Sequence, residues 1–255
     1  MSGAKRSWRS SKLVSATRNA EEILAESVRT VLGVFDPKVL TDQQAIDQVL
    51  NPAKNKLLAD TLNLTTLSKL TRTLVHPHFT FQKKLSHTAD SQDQRHRMTP
   101  AARPVLSRHF VPGQPDAVRP ELLQESPEAL DVFDAALTRV WKNIERLLDM
   151  KVKPQDALYL LPNAFPIRFY ESGDLLAHHH KWTKRLCYTA QEEIWRASLE
   201  EVQQVSDVMP NAGKYLRPPC SIRQWAETRP FCPEGDRFCG VLVWRQSLDQ
   251  YRRLI

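Results

Sequence analysis

The stretch His76-Pro77-His78-Phe79-Thr80-Phe81-Gln82-Lys83, followed by Ser86 and then Gln92-x-x-Arg95-His96-Arg97, holds two patterns in twenty-two residues. Phe79 and Phe81 alternate with Thr80 and Gln82, which predicts a short strand over residues 78–83 with one buried face. Ser86 can cap a helix, so residues 86–97 are predicted helical. On such a helix Gln92 and Arg95 lie three apart and share a face. That face could present an amide and a guanidinium to a pyrimidine ring and its phosphate; the same pair on a solvated helix would be unremarkable. Arg95 and Arg97 flank His96, and two guanidiniums that close can hold a phosphorylated ligand through paired donors.

Working outward, residues 20–32 place Ile23, Leu24, Val28 and Leu32 near helical spacing. Residues 57–74 are predicted as a second helix despite their Thr and Asn content. Pro100, Pro104, Pro112, Pro115 and Pro120 call for a long loop. Ser126-Pro127-Glu128 is a strong helix start, with a cap, a proline in the first turn and an acid at the positive end. Leu130, Phe133, Leu137, Val140, Ile144 and Leu147 then keep the 3.6-residue period to Met150. A strand is expected over residues 165–170 and helices over 173–184 and 189–208. The domain reading is a basic tail over residues 1–18, one main domain over 19–210, and an extension over 211–255 rich in Pro, Arg, Cys and Trp.

The chain has 255 residues, 41% hydrophobic and 25% charged, which suits a globular domain with appendages. No apolar run approaches the roughly 18 residues that a membrane span needs. The first twenty residues carry Lys5, Arg6, Arg9, Lys12 and Arg18 and no acid. A solvated tail and an organelle transit peptide both fit that composition; without a secretory apolar core, the cytoplasm is the expected location. The formal net charge is +7, unevenly spread. Residues 68–119 hold nine Lys and Arg against Asp90, Asp93 and Asp116. Such a concentration favours an anionic partner, either a nucleotide or a nucleic-acid strand.

Cys220, Cys232 and Cys239 are weak metal candidates. Cys232-Pro233-Glu234-Gly235 and Cys239-Gly240 read as turns that could aim thiolates at an ion, but the spacing matches no standard zinc or iron–sulfur pattern. A fourth ligand would have to come from Cys187 or a histidine, and three unrelated thiols are the plainer reading, so no metal is assigned. His178-His179-His180 cannot all ligate one ion from a helix, where neighbours point about 100° apart. One or two facing a pocket and the rest facing solvent is the expectation.

Taken in order, these segments resemble the flavin-dependent thymidylate synthases. That family shows His-x-x-Phe-Thr-Phe and Gln-x-x-Arg-His-Arg, then a Leu-Pro, an Arg 23 residues after that proline, and Ala-Gln-x-Glu-Ile. Here they stand at His76 to Phe81, Gln92 to Arg97, Leu161-Pro162, Arg185, and Ala190-Gln191-x-Glu193-Ile194. The resemblance covers roughly residues 57–208. It implies an α/β fold with a central sheet and flanking helices, an extra Cys-containing tail, and a homotetramer with shared active sites. It implies FAD as cofactor, NADPH and methylenetetrahydrofolate as cosubstrates, and reductive methylation of a uridine nucleotide at carbon 5. Carried over by position, Arg185 would be catalytic, against the uracil carbonyl. Gln92 and Arg95 would contact the nucleotide, with Ser107 and Arg108 as substitutes for displaced contacts. His76, His96, Arg97 and His180 would serve the flavin.

The departures are specific. Ser107 stands two positions late in its loop, and the glutamate before it is absent. Where the family has an arginine for nucleotide phosphate, before the Leu-Pro, this chain has Leu158. Val75 replaces an acid beside His76. The Asn-x-Arg ahead of the catalytic arginine has become Asp174-Leu175-Leu176. The losses imply that a different pyrimidine, a base within a nucleic acid, or a non-catalytic role are the rival readings.

Overall fold

The computed structural model describes residues 10–60, 68–247 and 250. Strands β1 (Ser11–Ala16), β2 (His78–Ser86), β3 (Ala101–Ala102) and β4 (Pro166–Asp174) form one antiparallel sheet in the order β1-β2-β4-β3. The helices are α1 (Ala20–Leu32), α2 (Asp42–Leu50), α3 (His87–Asp93), α4 (Glu121–Gln124), α5 (Pro127–Asp149), α6 (Pro154–Ala157), α7 (Leu175–Arg185), α8 (Glu192–Val208), α9 (Pro210–Gly213) and α10 (Pro219–Trp225). The mixed α/β class expected from the resemblance is the class observed. The chain divides into two units, residues 1–82, 96–100 and 171–255 in the first and 83–95 with 101–170 in the second; β2 and β4 run through both.

In the first unit, α1, α2, α7, α8 and the apolar face of β2 close on one core. Leu24, Val28, Ile46, Phe79, Phe81, Trp182 and Val202 are fully buried there. The Phe79/Phe81 alternation behaves as a period of two requires, both rings pointing inward against His178 and Trp182. In the second unit α5 is the long amphipathic helix its sequence foretells. Ser126 accepts the backbone N–H of Ala129 and Pro127 occupies the first turn. The buried face presents Leu137, Trp141 and Ile144, with the Trp141 ring tilted against those of Phe110 and Phe165.

Several expectations are corrected. The tail placed at residues 1–18 is too long, because Ser11–Ala16 form the sheet strand β1, held by Glu200, Glu201 and Gln204 of α8. Basic composition hid a strand whose partners lie far off in sequence. The helix expected over residues 57–74 is replaced at its ends by 3-10 turns, Lys56–Ala59 and Thr71–Val75, and residues 61–67 lie outside those described. The helix expected to reach Arg97 stops at Asp93. The segment after residue 210 is no detached extension: Ala212, Tyr215 and Leu216 join the first unit's core.

Candidate functional site

α7 carries the site. Asp174 caps it, its carboxylate accepting the Ala177 N–H at 2.7 Å. An acid at this position suits a helix N-terminus, so the change from the family's Asn has a local structural use. Eight of its eleven residues are buried. Lys181 donates to Glu171 of β4, both almost fully inaccessible. Trp182 Nε1 donates to Glu201 of α8 at 2.7 Å. Strand and neighbouring helix thus grip α7 by buried charged groups, which fixes where its last residue, Arg185, emerges.

Arg185 is half-buried, and its Nε–H donates to His96 Nε2 at 2.8 Å. An accepting Nε2 must carry a lone pair, so His96 is neutral with its proton on Nδ1. His180, five residues back on α7, sets its ring edge-on to His96 at 6.2 Å between centroids. Burial, then the nearby Lys184 charge, lower the His180 pKa below the usual imidazole value. The loop bearing His96 is itself held, with Thr99 bonding back to the His96 carbonyl and the Ser172 N–H of β4 donating to Pro100 O. Residues 89 positions apart are therefore brought into one polar cluster, Arg185, His96 and His180.

The other expected residues fall differently. His76 comes directly after the Thr71–Val75 turn and is exposed, as is Arg97. Gln92 lies in the last turn of α3, half-buried, but Arg95 lies past the Gln94 cap and is exposed. The shared helix face for these two does not form. In the second unit Ser107, on the 3-10 turn Leu106–Arg108, lines a cavity of about 530 Å³ together with His87, Asp156, Leu158, Asn163 and Phe165. Arg108, exposed, is not in that lining. The displaced serine and the leucine that replaces the family arginine thus face the same space.

The basic segment is less available than its composition implies. Four of its nine cations are neutralised inside the second unit. Lys83 bonds Asp93 with both side chains buried, Lys84 bonds Asp116, Arg103 bonds Asp90, and Arg119 bonds Asp134. The histidine tract also departs from expectation. His178 is buried against Phe79, Phe81 and Trp182, with Nδ1 3.0 Å from the Asp174 carbonyl. His179 is buried too, and desolvation, then the nearby His180, push its pKa down to about 4. Only His180 keeps partial access; none of the three faces open solvent.

The donor set suits a flavin. Neutral imidazoles and a guanidinium match an isoalloxazine edge rich in carbonyl and nitrogen acceptors. His179 adds a buried Nε2 that has no hydrogen-bond partner among the described residues, the kind of orphan a bound group satisfies.

At the end of α7 the structure gathers Arg185, His96 and His180. The family model described as thymidylate synthase complementing protein matches residues 12–211, and the chain belongs to that family. Among its relatives, the flavin-dependent thymidylate synthase of Geobacter sulfurreducens is 29% identical over 171 residues, 66% of this chain and 70% of the relative. That of Sulfurisphaera tokodaii is 26% identical over 220 residues, 84% of this chain and 79% of the relative. The crystal structure of a UMP/dUMP methylase, PolB from Streptomyces cacaoi bound with 5-Br UMP, shares the fold with a TM-score of 0.59 at 14% identity, covering 86% of this chain and 96% of that one.

Proposed function

We propose that the chain is a flavin-dependent enzyme that methylates a uridine nucleotide at carbon 5. It would use FAD, with NADPH as reductant and methylenetetrahydrofolate as one-carbon donor. Family membership and the names of the relatives support this reading, and the observation that carries it is the Arg185–His96 pair at the end of a helix anchored on both sides. The flavin, when bound, supplies the hydride chemistry. His96 would fix the plane of the guanidinium, and Arg185 would hold positive charge at the uracil carbonyl, where negative charge develops on ring activation. A donor aimed at developing charge in a dry site lowers the barrier by about 3 kcal/mol. His96, His180, Arg97 and His76 would contact the flavin, and the buried Nε2 of His179 lies on the same helix. Gln92, Arg95, Ser107 and Arg108 would contact the nucleotide. A homotetramer would complete the site, as the resemblance implies. Among the described residues no helix is long and apolar enough to cross a membrane.

One observation favours a second reading of the substrate. Among the described residues, the lining of the cavity at Ser107 and Leu158 contains Asp156 and His87 and no Lys or Arg. An acid at that place disfavours the phosphate of a free monophosphate there, so a differently substituted pyrimidine, or a base within a nucleic acid, is the competing substrate.

The test is the absorbance spectrum of the purified protein with added FAD, followed by tritium release from carbon 5 of labelled UMP, dUMP and a uracil-containing oligonucleotide. A flavin band with release from a mononucleotide supports the proposal. Release from the oligonucleotide alone moves the substrate. A protein that stays colourless with FAD and releases nothing overturns the enzymatic reading.

A further inference from the structure

Cys187, Cys220, Cys232 and Cys239 are separated by up to 52 positions in sequence, yet all four line one small void, with Pro218, Pro219, Pro233, Glu234 and Val243 among the remaining walls. These are all the cysteines of the chain, and none is disulfide-bonded. From this convergence we infer that the four thiols form a structural zinc site that ties the C-terminal segment to the end of the catalytic helix.

Three independent features point to an ion. The first is size. The void is about 10 Å³, close to a single water-sized sphere, and so takes one ion and no organic ligand. The second is backbone geometry. Cys232 and Cys239 sit in turns that contain Gly235 and Gly240 at φ of +56° and +77°, left-handed conformations that side-chain-bearing residues disfavour. The third is surroundings. Cys220 belongs to a small separate core with Tyr188, Trp195 and Val243, and Cys239 and Trp244 pack against it. Lys184 and Arg223 lie near enough to interact electrostatically with Cys187 and Cys232. Four thiols that bind Zn²⁺ release four protons and no electrons, leaving a centre of charge −2; Lys184 and Arg223 offset part of it, while Glu234, beside Cys187 and Cys232, adds to it.

Zinc rather than a harder cation is indicated by the all-thiolate donor set, which is soft and suits tetrahedral geometry. Among the described residues no three His, Cys, Asp or Glu side chains already stand at ion-holding distances. Cys187 is turned to Thr189 Oγ1 at 3.1 Å and Cys239 to the Val241 carbonyl at 3.6 Å. Closure therefore needs at least those two side chains to rotate inward. Cys187 is two residues beyond Arg185, so the ion would hold the chain exit of α7 in place.

The test uses the full-length protein, purified under reducing conditions in zinc-containing buffer and then desalted. Elemental analysis is expected to give one zinc per chain. Protein stripped by a chelator and titrated with Co²⁺ is expected to show the sulfur-to-cobalt charge-transfer and visible bands of a tetrahedral thiolate site. Cys232→Ser and Cys239→Ser are each expected to lose the bound zinc. The cobalt spectrum of the unsubstituted chain keeps the proposal testable where a variant fails to fold. Metal-free protein with four alkylatable thiols overturns it. So does a pair of disulfides seen by mass, or an iron–sulfur chromophore with acid-labile sulfide. Neither the metal content nor the cobalt bands depend on flavin or turnover, so this outcome is separable from that of the proposed activity.

Discussion

Lys181→Met tests how α7 is held. Lys181 and Glu171 are 0% and 1% exposed at their side chains, with His178 Nε2 4.0 Å from the same Glu171 oxygen. Methionine keeps most of the lysine's volume and stem and removes only the charge, so packing is little changed. The Glu171 carboxylate then faces a dry interior without its ammonium. Removing one partner of a buried pair costs about 3–5 kcal/mol, a large share of the ~5–15 kcal/mol that holds a domain folded. Glu171→Gln combined with Lys181→Met leaves two neutral groups, and at least half the loss should return. The deficit of the single variant should also shrink as pH falls, because Glu171 can take a proton in place of its lost partner. The assay is urea unfolding monitored by tryptophan fluorescence and far-UV circular dichroism, for both variants, at neutral and acidic pH. Because Arg185 is one turn beyond Lys181, activity should keep the same order, single variant below double. A single variant within about 1 kcal/mol of the parent, or a double variant no better than the single, refutes the view that this pair anchors the helix.

Three further outcomes are expected. Arg185→Lys loses the Nε–H that bonds His96 and should lower turnover about 10²–10³-fold, measured by tritium release, while the flavin band is retained. His179 has a folded-state pKa of about 4 against 6.5 in the open chain. The unfolded state therefore binds the proton first, and stability present above pH 6.5 is lost as pH falls toward 4, by about 3 kcal/mol at most. Unfolding midpoints across that window should slope less in His179→Asn than in the parent. Trp141 is 2% exposed and donates to the Val111 carbonyl at 2.9 Å, so Trp141→Ala should cost about 3–5 kcal/mol and Trp141→Phe about 1–2 kcal/mol, read from the same urea curves.

Sequence alone determined what is local. The period of two in residues 78–81 placed a strand with both phenylalanines inward, and Ser126-Pro127 started α5 where Ser and Pro satisfy or forgo the first N–H groups. Residues 20–32 traced α1 through its apolar spacing, of which Leu24 and Val28 are buried while Ile23 and Leu32 stay exposed. The order of short motifs gave the family, because recurrence at fixed spacing does not depend on knowing which faces meet. Tertiary structure decided everything that closes a long loop. It paired Arg185 with His96, cut α3 short so that Arg95 left the face of Gln92, turned Ser11–Ala16 from tail into strand, and drew Cys187 to three cysteines of the C-terminal segment. Such contacts stabilise only after distant segments pack and offset the entropy of closing the chain between them. No window of neighbouring residues records that balance, which is why Cys187 was only one of several possible fourth ligands, and a basic N-terminal stretch looked like a tail, until the core brought their partners alongside.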